Sequence, residues 1–190
     1  EADLRITIDT KKDKSTYVIE NVGIRMKGNT SRTDFYEKDQ GQYNLIHFKV
    51  DFGDRTFATL EKLEIRWNKN DDGTYIREGY AYEIYRSFGV MAPMSSLASV
   101  DFGGEHFGVC AINEPVDEVF LEKRLPKSQL GGDLYKIGWA GSSNGNFTGF
   151  QSVGIENEDE GKFYAYDLKT NKKTSAHESL KKLILELNDG

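Results

Sequence analysis

A chain of 190 residues has the length of one domain, at about 150 residues per domain. Its 37% hydrophobic content includes 11 Phe, 10 Tyr and 2 Trp, enough for a sizeable core without disulfides, and wholesale disorder is excluded. A formal net charge of −6 with no basic stripe argues against nucleic-acid binding, and no apolar run approaches the roughly 18 residues of a membrane-spanning helix.

The first 120 residues or so read as strands interrupted by one helix. Leu4, Ile6 and Ile8 alternate with polar residues, and so do Val22, Ile24 and Met26. Ile46, Phe48, Val50 and Phe52 interleave with His47, Lys49 and Asp51, and Leu63, Ile65 and Trp67 come next. A period of two turns one side of a strand inward and the other toward solvent or a cleft. Gly28 and Asn29 predict a tight turn before a polar loop.

Asp71-Asp72-Gly73-Thr74 offers caps for a helix over about 75–88. Ile76, Tyr80, Ile84 and Phe88 fall on one stripe of it, and Gly89 is placed to end it in the left-handed conformation. A hairpin turns at Gly103-Gly104-Glu105. Pro115 is expected to open a second helix, with Asp117 and Glu118 near its start. Leu134 to Ile137 reads as a short strand between glycine-rich loops, Phe163 to Leu168 as another strand after them, and Lys169 to Lys173 as a basic turn. Ser175-Ala176-His177-Glu178 has the capping-box pattern for a last helix whose stripe is Leu180, Leu183, Ile184 and Leu187.

The single cysteine, Cys110, sits in the apolar run Val109-Cys110-Ala111-Ile112 and reads as a small buried hydrophobe. His47, His106 and His177 are scattered, with no zinc-type spacing. Neither a nucleophile elbow nor a Walker loop is present. The chain starts at Glu1 without a signal-peptide pattern, which reads as a processed product or an excised piece and leaves the compartment open.

Four features carry a chemical hypothesis. Lys49 faces away from Phe48 and Val50, where a lysine on a sheet floor can hold a phosphate or simply stay solvated. Glu78, on the helix with Arg77 and Glu83, can pair with a strand lysine or stand as an ordinary surface charge. Glu114, where a strand hands over to Pro115, can line a cleft or cap a helix. The turn from Gly28 to Ser31 can present amide donors to an anion or act as a plain turn.

Taken in order, several segments resemble a known family. They are Gly23-Ile24-Arg25-Met26-Lys27-Gly28-Asn29-Thr30-Ser31, Phe48-Lys49-Val50-Asp51-Phe52, Leu60-Glu61-Lys62-Leu63-Glu64-Ile65 and Ile76-Arg77-Glu78-Gly79-Tyr80-Ala81-Tyr82-Glu83-Ile84. Gly89-Val90-Met91-Ala92-Pro93, the hairpin from Gly103 to Gly108, Glu114-Pro115-Val116-Asp117, Gly132-Asp133-Leu134-Tyr135-Lys136 and Tyr166-Asp167-Leu168-Lys169-Thr170-Asn171-Lys172-Lys173 complete the series. It is similar to the spore coat CotH family of atypical kinases.

The resemblance implies an α+β fold, mostly antiparallel sheet with a few packed helices, forming a kinase-like N-terminal lobe plus part of the next lobe. It implies one domain over residues 1–190 that stops short of the family's C-terminal part. It implies ATP and Mg²⁺ as cofactors of the complete domain. The implied partners are a protein substrate or a coat or surface protein, with no nucleic acid and no membrane span. The implied setting is bacterial: secreted, at a cell surface or in a spore coat, in some members beside cellulosome modules. By position, Lys49 corresponds to the nucleotide-phosphate lysine, Glu78 to its helix partner and Glu114 to the adenine-side linker. Arg25, Asn29 and Ser31 belong to a phosphate-side loop.

The family's catalytic carboxylates lie around an Asn-rich stretch and a Trp-Asp-x-Asp motif, and neither tryptophan here, Trp67 or Trp139, precedes Asp. The expectation is therefore a nucleotide-binding portion with little transfer activity alone. The alternative is a non-catalytic module that binds protein or glycan. Tyr75, Tyr80, Tyr82 and Tyr85 would furnish its aromatic face, although a helix core is their ordinary use.

Overall fold

Alternating side chains oblige the N-terminal strands to bury one face and leave the other polar, and this requirement shapes the fold. The computed structural model describes residues 1–28, 34, 36–37, 39, 41–44, 46–67, 74–137, 139–140, 143–144, 147 and 166–188. Two compact units are present, residues 1–120 and 121–190.

In the first unit, β1 (Ala2–Asp9), β2 (Lys14–Lys27), β5 (His47–Asp51), β6 (Lys62–Arg66), β7 (Ser95–Phe102) and β8 (Glu105–Asn113) form one sheet, in the order β1-β2-β5-β6-β8-β7. Each neighbouring pair is antiparallel. The short strands β3 (Tyr36–Glu37) and β4 (Gln42–Tyr43) pair with each other.

Ile46, Phe48, Val50 and Phe52 are all buried, as their alternation requires. They join Ile19, Val22, Ile65, Phe107 and Cys110 in one apolar cluster. The Phe48, Phe102 and Phe107 rings meet pairwise at centroid distances of 5.0 to 5.8 Å. Burial pushes the Cys110 thiol up to about 11, so it stays protonated among these side chains, as a hydrophobe would. The Gly103-Gly104 hairpin forms with φ of 57° and 87°.

The helix α1 (Arg77–Ser87) ends as its sequence directs. Gly89 takes φ 75°, its N–H donates to Arg86 O, and Val90 N–H donates to Tyr85 O. Its start differs from expectation. Residues 71–73 lie outside the described residues, and Ile76 at the N-cap makes no side-chain cap bond.

The stripe Ile76, Tyr80, Ile84 and Phe88 does not enter a core. All four are exposed, Phe88 at 79%. The sheet face beneath α1 is charged and selects the helix side that can bond to it, Glu78 and Tyr82. Gly79 faces β7, where a Cβ would lie 3.4 Å from Ser95 Oγ.

The helix α2 spans Glu118–Glu122 and begins three residues beyond Pro115. Asp117 caps it by accepting from Phe120 N–H (3.3 Å).

In the second unit, β9 (Tyr135–Ile137) pairs with β12 (Tyr166–Leu168), and β10 (Trp139–Ala140) pairs with β11 (Ser143–Asn144). Of the strand expected from Phe163, residues 163–165 lie outside the described ones. The helix α3 (Glu178–Asn188) buries Leu180 and Ile184 against Tyr166, with Tyr135 and Phe147 at the margin. Leu183 and Leu187 of the expected stripe stay exposed.

The capping box is used differently from its pattern. Ser175 Oγ accepts from His177 N–H and donates to Asp133, and His177 itself supplies the carbonyl that starts the helix. Burial pushes the Asp133 carboxyl up. Hydrogen bonds from Ser175, Asn171 and Tyr135, with the charge of His177, outweigh that and hold it below its ordinary value.

These packing relations separate two phenylalanines. Phe48→Ala is expected to cost about 3–5 kcal/mol in denaturant unfolding, because it empties the ring cluster. Phe88→Ala is expected to stay within about 0.5 kcal/mol. Equal costs would contradict the packing described.

Candidate functional site

The polar face of the sheet is assembled by strand register. Arg25 lies opposite Lys49, Lys49 opposite Glu64, Glu64 opposite Asn113, and Asn113 opposite Ser95. One row thus crosses five strands as cation, cation, anion, amide and hydroxyl. A second row sets Gly23 opposite Asp51 and Asp51 opposite Lys62. Lys27 lies opposite His47 in a third.

Toward β7, this face is satisfied by α1. Arg66 Nη1 donates to Glu78 Oε1 (2.5 Å), Tyr82 OH donates to the same oxygen (2.8 Å), and Asn113 Nδ2 donates to Glu78 Oε2 (3.0 Å). Ser95 Oγ donates to Asn113 Oδ1 (2.7 Å) and fixes that amide. Burial, then the hydrogen bond and charge of Glu78, push the Tyr82 phenol well above its ordinary range, so it remains a donor. Lys27 pairs with Glu64 in the same region.

His47 sits among these charges. Burial first, then Arg66 and Lys27, hold its pKa below the usual histidine value. Its Nδ1 is buried and makes no hydrogen bond among the described residues.

Toward β2, the face is left positive. Arg25 and Lys49 are direct cross-strand neighbours, and neither side chain has an ion-pair or hydrogen-bond partner among the described residues. Like charges in that position destabilise a sheet unless something negative joins them. Lys62 lies nearby, 3.8 Å from Asp51. Gly23, Ile24, Arg25, Lys49, Asp51 and Lys62 line an open hollow of about 380 Å³. Gly23 contributes no side chain to this lining.

Of the residues singled out in the sequence, Arg25 and Lys49 meet in this hollow. Glu78 lies on the same face but is bound by Arg66, Tyr82 and Asn113, and it does not line the hollow. Glu114 is also outside the lining. It is 5% exposed, its N–H donates to Met94 O (2.9 Å), and its Oε2 accepts from Met94 N–H (3.0 Å), which pins the segment between α1 and β7. Asn29 and Ser31 lie outside the described residues.

Sequence reasoning missed Arg66, Asn113, Lys62 and Asp51. The signal was present for Lys62 and Arg66, which alternate with Leu63 and Ile65 and so share the side of Glu64. Asn113, a polar residue closing an apolar run, gave a weaker hint.

The hollow carries two cations whose side chains lack partners among the described residues and a third close by, a charge pattern that suits an anion. Among the described residues, no three of His, Cys, Asp and Glu converge as a metal site would require.

The family described as CotH kinase protein matches residues 24–190, and the chain belongs to that family. No curated protein matches the chain. No helix among the described residues is long and apolar enough to cross a membrane.

The environment of His47 predicts a pH dependence. Its folded pKa lies below the unfolded value of 6.5, so the neutral ring favours the fold. That stability is complete above about pH 6.5 and is lost as pH falls from there through the folded pKa. The urea midpoint is expected to drop between about pH 7 and 5, and His47→Gln is expected to flatten that segment. A drop that survives the substitution would assign it to another group.

Proposed function

We propose that the chain is the nucleotide-binding portion of a CotH-type protein kinase of a bacterial coat or surface, and that the Arg25–Lys49 hollow takes the phosphate chain of ATP. The observation that supports this most directly is the cation pair on adjoining strands, without partners among the described residues and set in an open hollow. Lys49 acts as a point charge on one phosphate. Arg25 offers a planar fork to the next, and Lys62, already near Asp51, extends the positive field.

On this reading the sheet is a kinase-like N-terminal lobe, and α1 is the helix that sets its charge pattern. The Arg66–Glu78 clasp anchors α1 to the sheet and keeps the Glu78 carboxylate engaged with Arg66, Tyr82 and Asn113, so that Lys49 stays available for ligand. Among the described residues no cluster of carboxylates would hold Mg²⁺, so the ion would arrive with the nucleotide and would offset part of its phosphate charge. Trp67 and Trp139 are followed by Asn68 and Ala140, so the family's Trp-Asp-x-Asp carboxylates are not supplied by these segments. Binding without appreciable transfer is the activity proposed for this chain alone, with a coat or surface protein as the substrate class in the complete kinase.

Calorimetric titration with ATP and Mg²⁺ tests this. Saturable binding is expected, weakened at least about tenfold by Lys49→Ala and by Arg25→Ala, with the far-ultraviolet spectrum unchanged. Phe88→Ala, far from the hollow in sequence and exposed, is expected to bind as the unaltered chain does. Absence of binding, or binding indifferent to both cation substitutions, would overturn the proposal.

A further inference from the structure

The six-stranded sheet has two edges, β1 and β7, and they are finished differently. Strand β1 carries Asp3, Arg5 and Asp9, runs into the turn Lys11-Lys12-Asp13-Lys14, and has a register shift between Ala2 and Leu4. Charges and bulges on an edge oppose pairing with a further strand. Strand β7 has neither device from Ser95 to Val100. That stretch reads Ser-Ser-Leu-Ala-Ser-Val, and its register with β8 is unbroken until the shift between Val100 and Asp101. Among the described residues no strand lies on its outer side, and Ser96, Leu97 and Ser99 are exposed. Such an edge presents a row of unpaired N–H and C=O groups.

Apolar surface gathers beside this edge. Met91 and Met94 lead into β7 and are exposed, and Leu97 on the strand is 46% exposed. Val109, directly opposite Ser99 on β8, is exposed as well. Exposed Ile76 stands at the start of α1, three residues before the Gly79 that approaches Ser95.

We propose that β7 pairs antiparallel with β7 of a second copy of the chain, about a two-fold axis normal to the sheet. A contact of this symmetry needs a surface complementary to itself. An uncharged strand of Ser, Leu, Ala and Val meets that need, because no like charges come opposite one another within Ser95–Val100. Each copy carries a net charge of −6, so the uncharged edge is where two copies approach at least electrostatic cost. Directly opposed side chains must share a face, so an axis at Leu97 or at Ala98 sets Leu97 against Leu97 or Ser99 of the second copy. Six paired residues alone fall short of the roughly 1,200–2,000 Å² of a stable interface. Met91, Met94, Ile76 and Val109 supply the apolar area beside them.

Sedimentation velocity over about a hundredfold range of protein concentration tests the pairing. A monomer–dimer equilibrium is expected, and Leu97→Lys is expected to leave only monomer. Val18→Lys, at an exposed apolar position of β2 paired with the opposite edge, is expected to leave the dimer intact. Should Leu97→Lys fail to fold, Ser99→Lys at the same edge serves in its place. Amide exchange of residues 95–100 is expected to slow as concentration rises. A monomer throughout, equal loss of dimer with Val18→Lys, or protection of these amides in the monomer by another segment or partner would overturn the proposal.

Discussion

Two positive side chains placed directly opposite each other on paired strands repel, and a sheet tolerates them when an anion lies close or solvent screens them. Arg25 and Lys49 hold that relation because β2 and β5 are fixed in register by the core beneath them. Ile24 opposes Val50 and Met26 opposes Phe48 in the intervening positions. Slipping one strand by a single residue would bury charge and expose Phe48. The apolar side of the sheet therefore enforces the charge arrangement on its other side, and the hollow is a consequence of the core.

The rest of the polar face is arranged around that pair. Glu64 is taken by Lys27 and Glu78 by Arg66, Tyr82 and Asn113, so the face is neutralised toward β7 and left positive toward β2. Among the described residues, such a gradient draws an anion toward β2. The same demand explains the orientation of α1. A charged floor binds the Glu78 and Tyr82 side of the helix, and its apolar stripe is left outward, opposite to what amphipathicity alone predicts.

Much of this was legible in the sequence. Strict alternation from Ile46 to Phe52 located the central strand and both of its faces, and Gly89 and the Gly103-Gly104 pair marked their turns correctly. What failed was inference from one element at a time. The α1 stripe misled because burial depends on what lies beneath a helix, which periodicity does not encode. The Ser175 box misled because Asp133, over 40 residues away, competes for the hydroxyl. Arg66 and Asn113 escaped because their importance comes from pairing with Glu78 across 12 and 35 residues.

Membership of the CotH kinase protein family and the open cation pair are independent observations, one from the whole sequence and one from the register of two strands. The matched span, residues 24–190, contains both Arg25 and Lys49. A crystal structure of the chain with a non-hydrolysable ATP analogue brings them to a direct test. The account predicts phosphate oxygens within hydrogen-bond distance of both Lys49 Nζ and the Arg25 guanidinium. A nucleotide bound elsewhere, with these two side chains untouched, would contradict it.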